Sequence, residues 1–498
     1  MMNSLELTRP ELLRHQNFIR GTWSESAGGA TLEVINPASN RSIASVPDSD
    51  ARDARAAVEA ATAAFKTWRQ ETAMQRRQLL KEWHRLLLEN GEDLARLMSL
   101  EQGKPLAEAR GEVAYGASYV EWFAEEAVRV NGDILPSTQE GRRQMVIREP
   151  VGVVAVITPW NFPLAMIARK IAPALAVGCT VVAKPSEDTP LTALALARLA
   201  EEAGFPPGTV NVLSASRSNG ALVGDAWLAD GRVRKITFTG STPVGKHLAR
   251  ESAETLKRLS LELGGNAPFI VFEDADLDLA VAGLMASKFR NGGQTCVCPN
   301  RVFVQQTVLD EFVTKLQAAM ESLVVGPATH PDATIGPMIN SRAVEKIQRH
   351  VDDALERGAR LVCGGERVQN AVAAGPHFYL PTILTNVGAD AVMCHEETFG
   401  PVIPVIAFEN EPEVVTLAND TPYGLAAYFY TSDMRRAFRL PGLLEAGVIG
   451  INEGAVASEL APFGGVKESG YGREGSVYGT DDYVQIKYLC QGQLGGET

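Results

Sequence analysis

One cysteine differs from the other five in its surroundings. Cys296 lies in GQTCVCPNR (Gly293 to Arg301), a polar, glycine-rich turn, whereas Cys179 sits inside an apolar run as a core thiol would. A thiolate at such a turn can attack a carbonyl carbon, and its sulfur later leaves a thioester easily. The sequence offers no nearby histidine to complete a Cys-His pair, which counts against a papain-like hydrolase. Cys298, two residues on, reads either as a bystander or as a redox partner. Glu262, in LELGG, stands between leucines at what reads as a strand start. Apolar neighbours raise a carboxyl's pKa and suit it to general-base work near neutrality, although a salt-bridged structural glutamate fits the same pattern. Asn161, in TPWNFP, ends a β-rich run where two prolines fix a short turn. Its amide can be aimed at a developing oxyanion, or it can simply form the turn beside a packing tryptophan.

Two further loops have the chemistry to hold a nucleotide. FTGSTPVG (Phe238 to Gly245) follows a strand and opens a helix, so Gly240 would let backbone approach a phosphate at a helix N-terminus. The spacing is G-x-x-x-x-G rather than G-x-G-x-x-G, and it lacks the Gly-Lys-Ser/Thr of a P-loop; a plain tight turn explains it equally well. KPSEDTP (Lys184 to Pro190) could bracket a ribose, with Lys184 donating and Glu187 accepting from vicinal hydroxyls. A solvated charged loop before a helix is the other reading.

These loops need elements to carry them. Ala54, Val58, Ala61, Phe65 and Trp68 recur at helical spacing and predict a helix over Ser49 to Trp68. A second helical stretch is expected around Leu79 to Leu100. From Val151 onward, VGVVAVI, TVVAK (Thr180 to Lys184), VNVL (Val210 to Leu213) and KITFT (Lys235 to Thr239) read as strands. Helical stretches begin near Pro163, Pro190 and Pro243. That alternation predicts a parallel, doubly wound α/β sheet with ligands at the strand ends. PFIVF after Glu262, a helix from Asp276 to Asn291, and further alternation predict a second α/β unit. RRQMVIREP (Arg142 to Pro150) and DYVQIKYLC (Asp482 to Cys490) alternate like exposed strands, which suits oligomerisation.

Composition sets the outer bounds. The 498 residues are 45% hydrophobic and 21% charged, with a formal net charge of −13, so wholesale disorder is excluded and nucleic acid and membrane surfaces are poor partners. Six scattered cysteines form no disulfide framework and no paired C-x-x-C metal site. No apolar run reaches spanning length, and the first residues lack a signal-peptide core, so a soluble cytoplasmic protein is expected.

Taken in order, TPWNFP, KPSE, FTGST, LELGG, GQTCVC, EETFGP and PFGGVKESG resemble the aldehyde dehydrogenase superfamily from about Gly21 to Cys490. The resemblance implies a Rossmann-type NAD-binding domain (1–127 and 151–262), an α/β catalytic domain (263–462), and a β oligomerisation arm with a C-terminal segment (128–150 and 463–498). It implies a homodimer or homotetramer. It also implies Cys296 as nucleophile, Glu262 as general base, Asn161 with the Cys296 N–H as oxyanion hole, and Lys170 near the nicotinamide in proton handling. Thr158, Trp160, Lys184, Glu187, Gly240, Ser241, Glu397 and Phe399 are implied as cofactor contacts. Glu262 argues against the CoA-acylating branch, and Glu187 favours NAD over NADP because a carboxylate repels a 2′-phosphate. A non-catalytic protein on the same fold would be signalled by loss of Cys296 or Glu262, and both are present.

Within the superfamily, ELGGNAPFIVF, ASKFRNGGQTCVCPNR, GLAAYFY and DYVQIKYLC resemble the succinate-semialdehyde dehydrogenases. That resemblance implies an aldehyde carrying a carboxylate, held by Arg169, Arg290 and Ser458; guanidinium groups bind carboxylates bidentately and stay charged. Glutarate semialdehyde, one methylene longer, is the alternative. Cys298 matches the second thiol of C-V-C, which implies a reversible Cys296–Cys298 disulfide, while Pro299 departs from the small residue usual there.

Overall fold

The computed structural model describes residues 7–368 and 375–492; the ends of the expected nucleotide domain (1–6) and C-terminal segment (493–498) lie outside the described residues. Two large sheets carry the chain. The first has eight strands, with a parallel core in the order Arg258–Glu262, Val233–Thr239, Val153–Ile157, Thr180–Lys184, Val210–Val212. The strands Thr180–Lys184 and Val210–Val212 are buried throughout, as sheets covered by helices on both faces require. The chain order reverses between Val153–Ile157 and Val233–Thr239, so a crevice opens at their C-terminal ends. The second sheet has seven strands and is parallel except at Arg360–Cys363.

The helix Ala51–Trp68 starts at Asp50, whose side chain accepts from the Arg52 N–H in a capping box with Asp53. The expected single helix over 79–100 is two, Ala73–Glu89 and Gly91–Gln102. Asn90 breaks it: both its backbone N–H and its side-chain amide donate to the Leu86 carbonyl, and its backbone leaves helical geometry. A helix at Arg217–Ala229, absent from the pattern read above, fills the crossover before Val233–Thr239. Glu262 also requires a correction. It ends the strand Arg258–Glu262 rather than starting the next, which puts it at the ligand-binding edge of a parallel sheet.

The two segments expected as exposed strands pair with each other. Arg143–Pro150 and Val484–Gln491 run antiparallel from Val484↔Pro150 to Gln491↔Arg143, with Asp133–Leu135 completing a three-stranded sheet. Ile134 and Ile486, on its two opposite outer strands, are 79% and 72% exposed, so both edges of the sheet are open in the single chain. Among the described residues no helix is long and apolar enough to cross a membrane.

Candidate active site

A cavity of about 850 Å³ opens at the crevice between the two large sheets. Thr158, Trp160 and Asn161 enter it from the turn after Val153–Ile157, and Lys184 and Glu187 from the end of the next strand. Gly240 and Ser241 border it at the start of the helix Thr242–Ser252. Cys296, Glu397 and Phe399 face them from loops of the second sheet. The Trp160 and Phe399 rings meet edge to face, 5.5 Å apart. Phe399 holds φ at +59°, a conformation that a bulky residue adopts only where its surroundings fix it.

The Cys296 loop is tied down by close backbone approach. A Cβ on Gly265 would come within 2.4 Å of the Cys296 carbonyl oxygen. Gly293 has φ +81°, and a Cβ there would lie 2.3 Å from the Gly400 carbonyl oxygen. The thiol itself is desolvated, and burial pushes its pKa up to about 12 against the opposing pull of Arg169. At neutral pH it therefore holds its proton until a base takes it. Glu262 is 1% exposed, and neither carboxyl oxygen meets a hydrogen-bond donor among the described residues. Burial first, and the charge of Glu474 second, raise its pKa well above the carboxylate range.

Behind Glu262 lies a charged cluster that the sequence reading touched only in part. Lys170 and Arg169, consecutive on the helix Ala165–Val177, both pair with the Glu474 carboxylate, and all three side chains are almost wholly buried. The Arg169 Nη2 finds no hydrogen-bond partner among the described residues, and its guanidinium lies 4.8 Å over the Phe463 ring. Arg290 lies over Phe162 and Tyr115, at 4.8 and 5.4 Å. The Tyr115 and Tyr119 hydroxyls are 3.0 Å apart, and Tyr119 donates to the Ser458 carbonyl at 3.4 Å. Ser458 is thus joined to Arg290 through a tyrosine pair that the sequence reading missed, because Tyr115 and Tyr119 look like ordinary residues of the helix Leu106–Glu126.

Cys298 does not line the cavity. It is buried, its thiol donates to the Lys288 carbonyl at 3.7 Å, and both it and Cys296 are free thiols.

The residues present fit a nicotinamide dinucleotide. Gly240 has room only for hydrogen, since a Cβ would lie 2.4 Å from the Phe238 ring, and the helix beginning at Thr242 has no side-chain cap competing for its first N–H groups. Lys184 is buried, with its ammonium donating to the Pro185 carbonyl at 3.0 Å and facing Gly220 of the helix Arg217–Ala229. Glu397 accepts from the Gly265 N–H at 3.2 Å, and burial lifts its pKa to about 7. Asp188, Arg217 and Arg342 also border the cavity and went unread in the sequence.

The aldehyde dehydrogenase family model matches residues 23–489. The chain is 54% identical to the 3-sulfolactaldehyde dehydrogenase of Pseudomonas putida, over 98% of this chain and 99% of that one. It is 52% identical to the succinate-semialdehyde dehydrogenase (NADP(+)) GabD of Escherichia coli K12, over 98% and 100%. The crystal structure of a succinate-semialdehyde dehydrogenase from Burkholderia pseudomallei superimposes with a TM-score of 0.95 at 53% identity, covering 98% of this chain and 100% of that one.

Proposed function

The chain belongs to the aldehyde dehydrogenase family, and on that premise we propose that it oxidises a small anionic aldehyde, succinate semialdehyde foremost, using NAD. The observation that carries this reading is the buried guanidinium of Arg169, whose Nη2 has no hydrogen-bond partner among the described residues. Arg169 and Lys170 share the single carboxylate of Glu474, so this desolvated cluster holds more basic groups than acidic ones to pair them. A substrate carboxylate or sulfonate satisfies both the surplus basic group and the orphan nitrogen, which an uncharged aldehyde cannot do. The name of the Pseudomonas putida relative makes a sulfonate the second anion to test. Glutarate semialdehyde stays close behind, because one methylene is worth only ~1–3 kcal/mol of discrimination.

In this reading Cys296 reacts as the thiolate, its proton lost to water, and adds to the aldehyde carbon. The Asn161 amide and the Cys296 N–H hold the oxyanion of the thiohemiacetal. NAD, when bound, supplies the hydride acceptor that turns the thiohemiacetal into an acyl-cysteine. Glu262 then takes a proton from the water that releases the acid, and Lys170 with Glu474 passes protons away from it. Thr158, Trp160, Lys184, Gly240, Ser241, Glu397 and Phe399 hold the cofactor, and Glu187 sets the preference for NAD over NADP. The first sheet with its helices (1–127, 151–262) forms the nucleotide domain and 263–462 the catalytic domain. Segments 128–150 and 463–498 pair copies into a cytoplasmic homodimer or homotetramer.

The deciding experiment is NADH formation with succinate semialdehyde, glutarate semialdehyde, 3-sulfolactaldehyde and propanal, each with NAD and NADP. The reading fails if propanal gives the highest kcat/KM, or if NADP equals or exceeds NAD.

A further inference from the structure

Asn161 carries its amide toward the cavity on a turn that its own side chain barely secures. Its Nδ2 donates to the Gln294 carbonyl at 3.0 Å, and its Oδ1 is buried with no partner among the described residues. The backbone carbonyl of the same residue is held much more firmly. The Lys104 ammonium donates to it at 2.8 Å, and the Asn291 side-chain amide donates at 2.9 Å.

Lys104 and Glu112 form an ion pair with side-chain exposures of 0% and 1%, well away from the Glu262 cluster in sequence and in partners. The three ammonium protons of Lys104 have three destinations: the Glu112 carboxylate, the Asn161 carbonyl, and the face of the Phe162 ring 4.2 Å away. Glu112 in turn accepts the N–H groups of Leu164 and Ala165, at 2.9 and 3.2 Å, where the helix Ala165–Val177 begins. Glu108, from the same helix as Glu112, accepts the Asn291 N–H at 2.8 Å. Both ends of the turn Asn161–Ala165, and the loop that leads to Cys296, are therefore referred to one buried cation and two carboxylates.

A buried ion pair adds little to stability compared with apolar side chains of the same size, so its stability contribution does not account for it. It does fix geometry. An oxyanion donor has to be held within about half an ångström of its productive position. We propose that Lys104 is a positioning residue for the oxidation, fixing the Asn161 peptide and so the aim of the Asn161 amide relative to Cys296. The inference rests on the reading of Asn161 as the oxyanion donor.

The test is a double-mutant cycle on the rate of the first turnover, read as NADH formed in the stopped flow with saturating NAD and succinate semialdehyde. Lys104→Met combined with Glu112→Gln removes the cation without stranding a buried charge and keeps the acceptor for the helix start. In the otherwise unchanged protein it is expected to slow the first turnover by about 10- to 100-fold, short of the ~10²–10³-fold loss from deleting an oxyanion donor outright. In an Asn161→Ala background it is expected to change the rate less than about threefold, because the group it positions is gone. NAD affinity, followed by tryptophan fluorescence, stays unchanged. Equal losses in both backgrounds, or an unchanged first turnover beside a lowered melting temperature, overturn the proposal. If the double variant does not fold, Lys104→Arg, which keeps the charge opposite Glu112 but changes the reach to the Asn161 carbonyl, is read against the same criteria. Full activity in Asn161→Ala by itself overturns the reading of Asn161 instead, so the two failures are distinct.

Discussion

Arg169 pairs with one oxygen of the Glu474 carboxylate while Lys170, its neighbour in sequence, pairs with the other. A single carboxylate therefore balances two buried cations, and the excess charge lies beside Glu262. Glu474→Gln removes that balance and leaves two buried cations facing a neutral amide. Breaking a buried pair in this way costs about 3–5 kcal/mol, which a thermal shift assay measures. It also removes the second-largest influence raising the Glu262 pKa, so that pKa falls. The acid limb of the kcat profile should move to lower pH; a limb that stays in place argues that Glu262 does not titrate in turnover.

Arg290 separates substrate charge from folding better than Arg169, because among the described residues it forms no ion pair and its partners are the rings of Phe162 and Tyr115. Arg290→Met should raise KM for succinate semialdehyde about 10- to 100-fold, the loss of one charge-assisted hydrogen bond of roughly 1.5–3 kcal/mol. KM for propanal should change less than about threefold. Equal losses on both aldehydes point to a general role for this residue.

Burial pushes the Cys296 thiol up to about 12 and lifts the Glu262 carboxyl well above its ordinary range, so both groups hold their protons more tightly than free side chains do. The reactive form needs one of these protons removed, so kcat/KM should rise as pH is raised through neutrality. Glu262→Gln cannot take the proton from water in the second half-reaction, so NADH release beyond one equivalent per site should fall by ~10²–10⁴-fold. Rapid-quench detection of the acyl-cysteine decides the point; its absence removes Glu262 from deacylation.

Glu187 and Lys184 border the cavity, and so do Arg217 and Arg342. Two guanidinium groups are thus available to a 2′-phosphate once the carboxylate is gone. Glu187→Ser should lower the NAD-to-NADP ratio of kcat/KM at least tenfold, about 1.4 kcal/mol. An unchanged ratio assigns the preference to another residue.

Ile134 and Ile486 stand exposed on the two outer strands of the three-stranded sheet. Replacing both with lysine should shift sedimentation velocity to a smaller species without lowering the melting temperature of the chain by more than a few degrees. A sedimentation coefficient that does not move places the subunit contact elsewhere.

Much of the first sheet could be read from sequence because strands buried on both faces are short apolar, β-branched runs, as in TVVAK and VGVVAVI. The helix Arg217–Ala229 could not, since Gly220 and Gly224 weaken its helical signal, and Gly220 is there to leave room for the Lys184 ammonium. Cys296 and Asn161 drew attention because each sits in a local setting that suits a reacting group. Glu474 gave no such signal: GYGREGS has no periodicity, and its carboxylate acquires meaning only when the helix carrying Arg169 and Lys170 packs against it. Lys104, in the loop between the helices Gly91–Gln102 and Leu106–Glu126, and Glu112, on the second of them, carry no functional signal until the fold buries them together.

The pairing of Arg143–Pro150 with Val484–Gln491 has a consequence in time. Roughly 330 residues separate the two strands, and at ~5–20 residues per second the first waits about 20–70 s for its partner to leave the ribosome. Throughout that interval a nascent chain displays an unpaired edge that neighbouring ribosomes on the same message also display. A chain shortened by its last fifteen residues would keep every active-site side chain and still leave the edge of residues 143–150 without its partner strand.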